Sequence, residues 1–229
     1  MAESKRDLGH VLLEAQRNAF VLFSTAKSRG LICAGKSERD LNNELYDLAF
    51  ELYGIRKYWH KRIVRSGANT LFPYRENPPD LMLQEDDILF FDFGPVFEDW
   101  EADVGMTFVL GNDPVKLKML HDVEEAWKRG KTWYEAHPDC TGAELYAFTH
   151  DLALSLGWEF GGPHCGHLIG RFPHERIEGE EKVNYLHPEN HIQLDNPGKT
   201  GEKRHWIYEM HLVDQARQIG AFYEAILTL

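Results

Sequence analysis

Apolar residues recur at helical spacing over residues 7–29, where Leu8, Val11, Leu12, Ala15, Ala19, Leu22, Phe23 and Ala26 fall on one face. Gly30 supplies the stop. Ser37 and Asp40 stand at capping-box spacing, and Leu41, Leu45, Leu48, Ala49 and Leu52 carry a second helix to Gly54. Residues 55–85, with Pro73, Pro78 and Pro79, read as loop. Strand-like runs follow at Asp87–Phe93 and Val104–Leu110, the latter closed by the turn Gly111-Asn112-Asp113-Pro114. Helical spacing returns over 115–136 and, behind the Thr141-x-x-Glu144 cap, over 142–156 up to Gly157. Residues 161–204 are rich in Gly, Pro, Asn and His and read mostly as loop, and strand-like segments at 205–213 and 219–229 close the chain. Two helices then two strands, twice over, suggest one unit built twice, although the halves show no convincing self-match. No low-complexity linker divides them, so the expectation is a single α+β domain over 1–229.

Composition narrows the function. The 229 residues are 43% hydrophobic and 12% aromatic, which excludes a disordered chain. A net charge of −12 argues against a nucleic-acid partner or an anionic membrane, both of which need clustered Lys and Arg. The local basic group Lys57, Lys61, Arg62 and Arg65 reads as an ordinary solvated face. Cys33, Cys140 and Cys165 form no CxxC pair, so neither a disulfide framework nor a cysteine zinc knuckle is indicated. The start, MAESKRDLGH, lacks the apolar core of a signal peptide, and no apolar run approaches the ~20 residues of a membrane span. A cytoplasmic protein is expected. Twelve His among many carboxylates give the first hint of chemistry.

One motif points elsewhere. Residues 30–37, GLICAGKS, satisfy the phosphate-loop pattern G-x-x-x-x-G-K-[ST], and Ile88–Asp92 could pass as the strand ending in a magnesium-binding Asp. A phosphate loop needs a strand before it, whereas Phe20–Ser24 lies within a longer helical pattern. Leu, Ile and Cys between the glycines suit a helix-to-helix connection better.

The acidic residues in the strands carry more weight. Asp92 ends the apolar run FFDF; alternation puts Phe90, Asp92 and Gly94 on one face and Phe91 and Phe93 on the other. Asp103 opens the next strand 11 residues later, so a hairpin would bring the two carboxylates together. They would repel unless a cation stood between them. His167 lies in HCGHLIG among Gly162, Gly166 and Gly170. Glu209 shares a strand face with Ile207, His211 and Val213, and Glu224 shares one with Phe222 and Ile226. A Glu between apolar strand neighbours is costly without a compensating charge. Together Asp92, Asp103, His167, Glu209 and Glu224 form an oxygen-rich donor set whose four negative charges match two divalent cations. Manganese, iron, cobalt and zinc all suit one His with carboxylates.

These residues resemble the methionine aminopeptidase, aminopeptidase P and creatinase superfamily. DFGPVFEDWEADVGMTF is similar to its first ligand segment, GHLIGRFPHE to its His segment, and YEMH and GAFYEAILT to its two Glu strands. The resemblance runs from about residue 10 to the end and is closest to the aminopeptidase P branch, catalytic domain only. It implies the pita-bread fold: pseudo-twofold αβ halves around a curved antiparallel sheet. It also implies a dinuclear metallohydrolase that removes an N-terminal residue from peptides through a metal-bridged hydroxide. Asp92 would bind one metal, Asp103 and Glu224 would bridge, and His167 and Glu209 would complete the other. Glu209 would relay the proton, and His174 would hydrogen-bond substrate or oxyanion. A homodimer is implied by analogy only.

Three departures stand out. Many members carry a substrate-contacting His near the position of Pro73; here it is absent, and His60 in KYWHKR is the candidate replacement in space. Gly105 and Met106 stand where peptidases often carry a hydroxyl residue and Arg. The two Glu strands are joined by a short connection. His164 and His211 are candidates for orienting ligands or, for His164, for contacting substrate. Trp100, Trp158 and Trp206 lie near the motifs, with a core role favoured for each over a pocket wall. Cys165 reads as a small buried residue. Besides the peptidase reading, the sequence leaves open a non-peptidase of the same fold acting on a small molecule (an amidinohydrolase or lyase) and an inactive binding module.

Overall fold

A computed structural model describes residues 8–174, 181–198 and 201–229. The first seven residues of the start scanned for a targeting signal lie outside these, as do 175–180 and 199–200 of the loop-rich stretch.

Helices α1 (Leu8–Ser28) and α2 (Glu38–Tyr53) open the chain. The α2 cap is as expected: Ser37 Oγ accepts from the Asp40 N–H, while the Asp40 carboxylate accepts from the Ser37 N–H. Residues 30–37 connect the two helices, and Lys36 Nζ lies 2.5 Å from Glu44 Oε2. With helix rather than strand on its N-terminal side, this segment is no phosphate loop.

Strands β1 (Ile63–Ser66), β2 (Ile88–Phe93), β3 (Val96–Phe97), β4 (Trp100–Glu101) and β5 (Val104–Val109) complete the first half. Helices α3 (Pro114–Ala136) and α4 (Gly142–Ser155) follow. Strands β6 (Glu159–Phe160), β7 (Leu168–Ile169), β8 (His205–Asp214) and β9 (Ile219–Ile226) build the second half. The main sheet runs β1-β2-β5-β9-β8-β6, and β7 also pairs with β8; every pairing is antiparallel. Each half therefore contributes one central hairpin, β2–β5 or β8–β9, and the two meet at β5–β9 through the pair Gly105–Glu224.

The helices cover one face of this sheet. In the first half the alternation read from FFDF places Phe91 and Phe93 against Phe23 of α1, with ring centroids 5.2 and 5.5 Å apart. In the second half Tyr208 faces α3 and α4: Trp127 Nε1 donates to its carbonyl, and its hydroxyl pairs with Thr149 Oγ1 at 2.9 Å. These contacts turn the alternate residues Asp92 and Glu209 to the opposite face. The helices are thus the clamp that fixes register, since a one-residue slip would bury Asp92 among phenylalanines.

β1 lies in the stretch expected to be loop. It is fully buried, and Ile63 pairs with Asp92. Arg65 corrects the solvated-face reading of the basic group: it is 4% exposed. Its guanidinium donates to the carbonyls of Phe72, Pro73 and Glu76, which fastens the loop beside the site.

Candidate metal centre

Four carboxylates converge on the face away from the helices. Glu209 and Glu224 are directly paired across β8–β9, and Gly105, next but one after Asp103, pairs with both Asp92 and Glu224. His167 enters from the segment preceding β7. Its Nε2 lies 3.0 Å from Asp103 Oδ2, 3.6 Å from Glu224 Oε1 and 3.7 Å from Glu209 Oε1. His60 sits on the other side of Asp103, with Nε2 3.0 Å from Oδ1 and 3.6 Å from Asp92 Oδ1. Asp103 and Glu224 are each 2% exposed.

This concentration of buried charge perturbs every group in it. Burial pushes Asp92 up to about 6 and Glu209 up to about 8. Burial and then the neighbouring Asp103 raise Glu224 well above the usual carboxylate range. Burial acts the same way on Asp103, but the His60 charge and the bonds from His167 and His60 outweigh it and hold it low. Burial alone would lower His60; the Asp103 and Asp92 charges reverse that and lift it to about 9. His167 is raised well above its ordinary value for the same reason.

The residues fit divalent cations. Glu224 Oε2 is buried and has no hydrogen-bond donor, a costly state for a carboxylate oxygen. Ligand atoms of His60, Asp92 and Asp103 form one set mutually within 4.8 Å, and those of Asp103, His167 and Glu224 form a second. Separations of 3.0–3.7 Å between ligand atoms are the edges expected of coordination polyhedra with bonds of about 2.1 Å. The hard oxygen set with one or two imidazoles suits manganese, iron, cobalt or zinc.

Around this cluster the other candidates separate. His174 Nδ1 is 2.8 Å from Glu101 Oε2, and its backbone N–H donates to Glu101 Oε1. The Glu101 carboxyl also accepts from the Gly170 backbone N–H, so it serves as the acceptor on both oxygens, Nδ1 donates to it, and Nε2 is the free nitrogen. His164 Nδ1 stands 3.6 Å from Glu209 Oε1, and its ring lies against Tyr185 at 4.7 Å. Burial drives His164 down to about 3, so it is neutral. His211 does not reach a ligand: Nε2 pairs with the Thr70 carbonyl, and burial lowers it to about 4.

The tryptophans near the motifs belong to the core. Trp158 donates to Asp122 and Trp206 to the Leu194 carbonyl, while Trp100 packs beside Leu12 and Ile169. The aromatic wall of the centre is instead Trp59, whose ring lies 4.5–5.3 Å from those of His60, His167 and His174. Cys165 is buried, with its Sγ on the Leu186 carbonyl. Two residues here escaped the sequence reading, Trp59 and Glu101. Both were adjacent to residues that it singled out, but their partners lie 43 and 73 positions away.

Gly105 has a local cause. A Cβ there would stand 2.5 Å from the Phe222 ring and 2.9 Å from Glu224 Cβ. Phe222 fills the space that a hydroxyl side chain would need.

Comparison with known proteins agrees with this geometry. The chain is 25% identical over 146 residues to an Xaa-Pro dipeptidase of Pyrococcus horikoshii, covering 63% of this chain and 40% of that one. It is 29% identical over 140 residues to a putative Xaa-Pro aminopeptidase of Mycoplasma pneumoniae, covering 59% and 39%. The fold matches the Xaa-Pro dipeptidase of Bacillus anthracis (TM-score 0.73, 23% identity, 96% of this chain and 57% of that one). It also matches the X-Pro aminopeptidase of Thermotoga maritima (TM-score 0.72, 20% identity, 96% and 58%). The chain thus spans less than two thirds of each of these relatives. The α+β architecture is the pita-bread fold of these proteins, and among the described residues no helix is long and apolar enough to cross a membrane. The profile of metallopeptidase family M24 matches residues 11–204, and the chain belongs to that family.

Proposed function

We propose that the chain is the catalytic domain of a dinuclear metal-dependent aminopeptidase, cytoplasmic, that cleaves the N-terminal residue from peptides. Asp92, Asp103, His167, Glu209 and Glu224 would hold two divalent cations, drawn from manganese, iron, cobalt or zinc. The observation that carries the reading is that three carboxylates, Glu209 of β8, Glu224 of β9 and Asp103 at the entry to β5, stand within 3.7 Å of one imidazole nitrogen, that of His167. When bound, the cations supply an acidified water and an electrophile for the scissile carbonyl.

The chain's own residues supply the rest. Glu209 is the most open of the four carboxylates, its side chain 15% exposed against 2% for Asp103. It is therefore the group suited to take a proton from the attacking water and pass it to the leaving amine. His174, its Nδ1 fixed by Glu101, offers Nε2 to the substrate or to the oxyanion. Neutral His164, beside Glu209, lines the approach to it and serves substrate binding. Trp59 gives the cleft an apolar wall that limits water. The names of the relatives make peptides with proline in second position the first to test. Pro73, standing near where many family members carry a substrate-contacting His, favours one second reading, a small non-peptide substrate.

The test is a screen of the metal-loaded protein against peptide libraries varied at the first two residues, with amidines and amino-acid derivatives alongside. Release of the N-terminal residue, abolished in Glu209→Gln, is the expected result. A fully loaded protein that leaves every peptide intact and turns over a small molecule would overturn the peptidase assignment in favour of the second reading. A homodimer, by analogy with the family, is the assembly proposed, and sedimentation tests it.

A further inference from the structure

The pseudo-twofold sheet sets two imidazoles on either side of Asp103, and they make the same contacts. His167 places Nε2 3.0 Å from Asp103 Oδ2; His60 places Nε2 3.0 Å from Asp103 Oδ1. His167 Nδ1 lies 2.8 Å from the carbonyl of the next residue, Leu168. His60 Nδ1 lies 2.7 Å from the carbonyl of its next residue, Lys61. A carbonyl only accepts, so each Nδ1 carries a proton, and in the neutral tautomer each Nε2 presents its lone pair to the carboxylates. That is the arrangement metal-binding imidazoles use, with the far nitrogen donating to a backbone carbonyl. The topology matches as well. His60 precedes β1, the short partner of β2, and His167 precedes β7, a short partner of β8.

The surroundings make room for His60 in this place. Gly94 lies just past the end of β2, two residues after Asp92, and a Cβ there would stand 2.3 Å from His60 Cδ2 and 2.4 Å from Trp59 Nε1. Trp59 Nε1 in turn donates to the Ala102 carbonyl, beside Asp103, which braces the ring against His60. The His60 side chain is 7% exposed, too enclosed for a group whose task is to meet substrate in an open cleft. Its nitrogen joins Asp92 and Asp103 in one ligand set, while Glu224 Oε2 remains buried without a donor.

We infer that His60 is a metal ligand, the sixth of the centre, so that each cation carries one imidazole: His60 on the Asp92 side and His167 on the Glu209 side. This replaces the substrate-contact role expected for His60, and it rests on the dinuclear reading above. With a nitrogen donor on both sides, the two cations would be bound by more similar sets than five ligands alone provide.

The experiment uses the full chain loaded with Co(II) or Mn(II). Metal content is measured after dialysis, and imidazole ligands are counted from X-ray absorption and from the nitrogen modulation of pulsed paramagnetic resonance. The wild type is expected to hold two cations with an average of one imidazole each. With both sites kept filled by excess metal, His60→Ala should halve that average, and it should weaken one of the two binding steps by at least ~10-fold, leaving the other step unchanged. Added imidazole should restore the lost step in His60→Gly. Two cations sharing a single imidazole in the wild type would overturn the inference while leaving the dinuclear reading intact; that count needs no variant to fold. A wild type that binds no cation would overturn the dinuclear reading, and the inference with it.

Discussion

Without cations, the folded protein should lose stability as pH rises from about 6.5 to 8, and Glu209→Gln should remove part of that loss. Glu209 moves from an ordinary 4.5 to about 8 on folding, and His60 from 6.5 to about 9. Both shifts are upward. At neutral pH the folded chain therefore holds protons that the unfolded chain has released, and the stability they provide disappears as pH climbs through the folded values. At pH 7 the excess is roughly 0.9 proton on Glu209 and 0.75 on His60, a slope of roughly 2 kcal/mol per pH unit. His167 and Glu224 shift in the same direction and steepen it. The lowered groups His164 and His211, at about 3 and about 4, work the other way: neutral when folded but roughly a quarter protonated at pH 7 when unfolded, they offset roughly 0.5 proton, or ~0.7 kcal/mol per pH unit. The assay is urea unfolding of chelator-treated protein at half-unit pH intervals. Glu209→Gln should flatten the slope by roughly 1 kcal/mol per pH unit, because the glutamine holds no exchangeable charge. A metal-free stability that is flat or rising across this range, or a variant with the wild-type slope, would refute the picture of four carboxylates crowded in a buried cluster.

Other substitutions probe the supports of the site. Glu101→Gln should lower kcat by ~10-fold with little change in KM, and Glu101→Ala more, because His174 loses the partner that fixes its free nitrogen; steady-state kinetics on the substrate found by the screen measures this. Gly105→Ala should cost about 1–3 kcal/mol in denaturant unfolding, because the new methyl meets the Phe222 ring, and Phe222→Leu in the same chain should recover part of it. Lys36→Ala should change stability by less than about 1 kcal/mol and leave nucleotide affinity unaffected, since Lys36 pairs with Glu44 in a connection between helices.

Much of this architecture could be read from the chain because β-strands alternate. The phenylalanines of FFDF and the apolar neighbours of Glu209 and Glu224 dictate which face each acid takes, and the caps at Ser37 and Thr141 mark helix starts to within a residue. The pairings that build the centre were less accessible. Ile63–Ser66 is four residues long and sits beside Lys and Arg, so its period of two had no length in which to show, and only the loop carbonyls that receive Arg65 explain a buried guanidinium there. Glu101 at the end of β4 meets His174, in the loop after β7, over 73 positions, and Trp59 reaches Ala102 over 43. Such contacts depend on tertiary register, which local pattern does not encode. His60 was singled out because a His was missing near Pro73, yet its place against Asp103 emerges only once β1 is set alongside β2.

The central claim is that side chains from both halves of the fold surround a pair of cations. Crystals soaked in Mn(II) or Co(II) and measured at the metal's absorption edge test it directly. Two anomalous peaks lying among Asp92, Asp103, His167, Glu209 and Glu224, both lost in Glu224→Ala, are the result expected. A difference map with no peak among these residues in the fully soaked wild type would contradict the account.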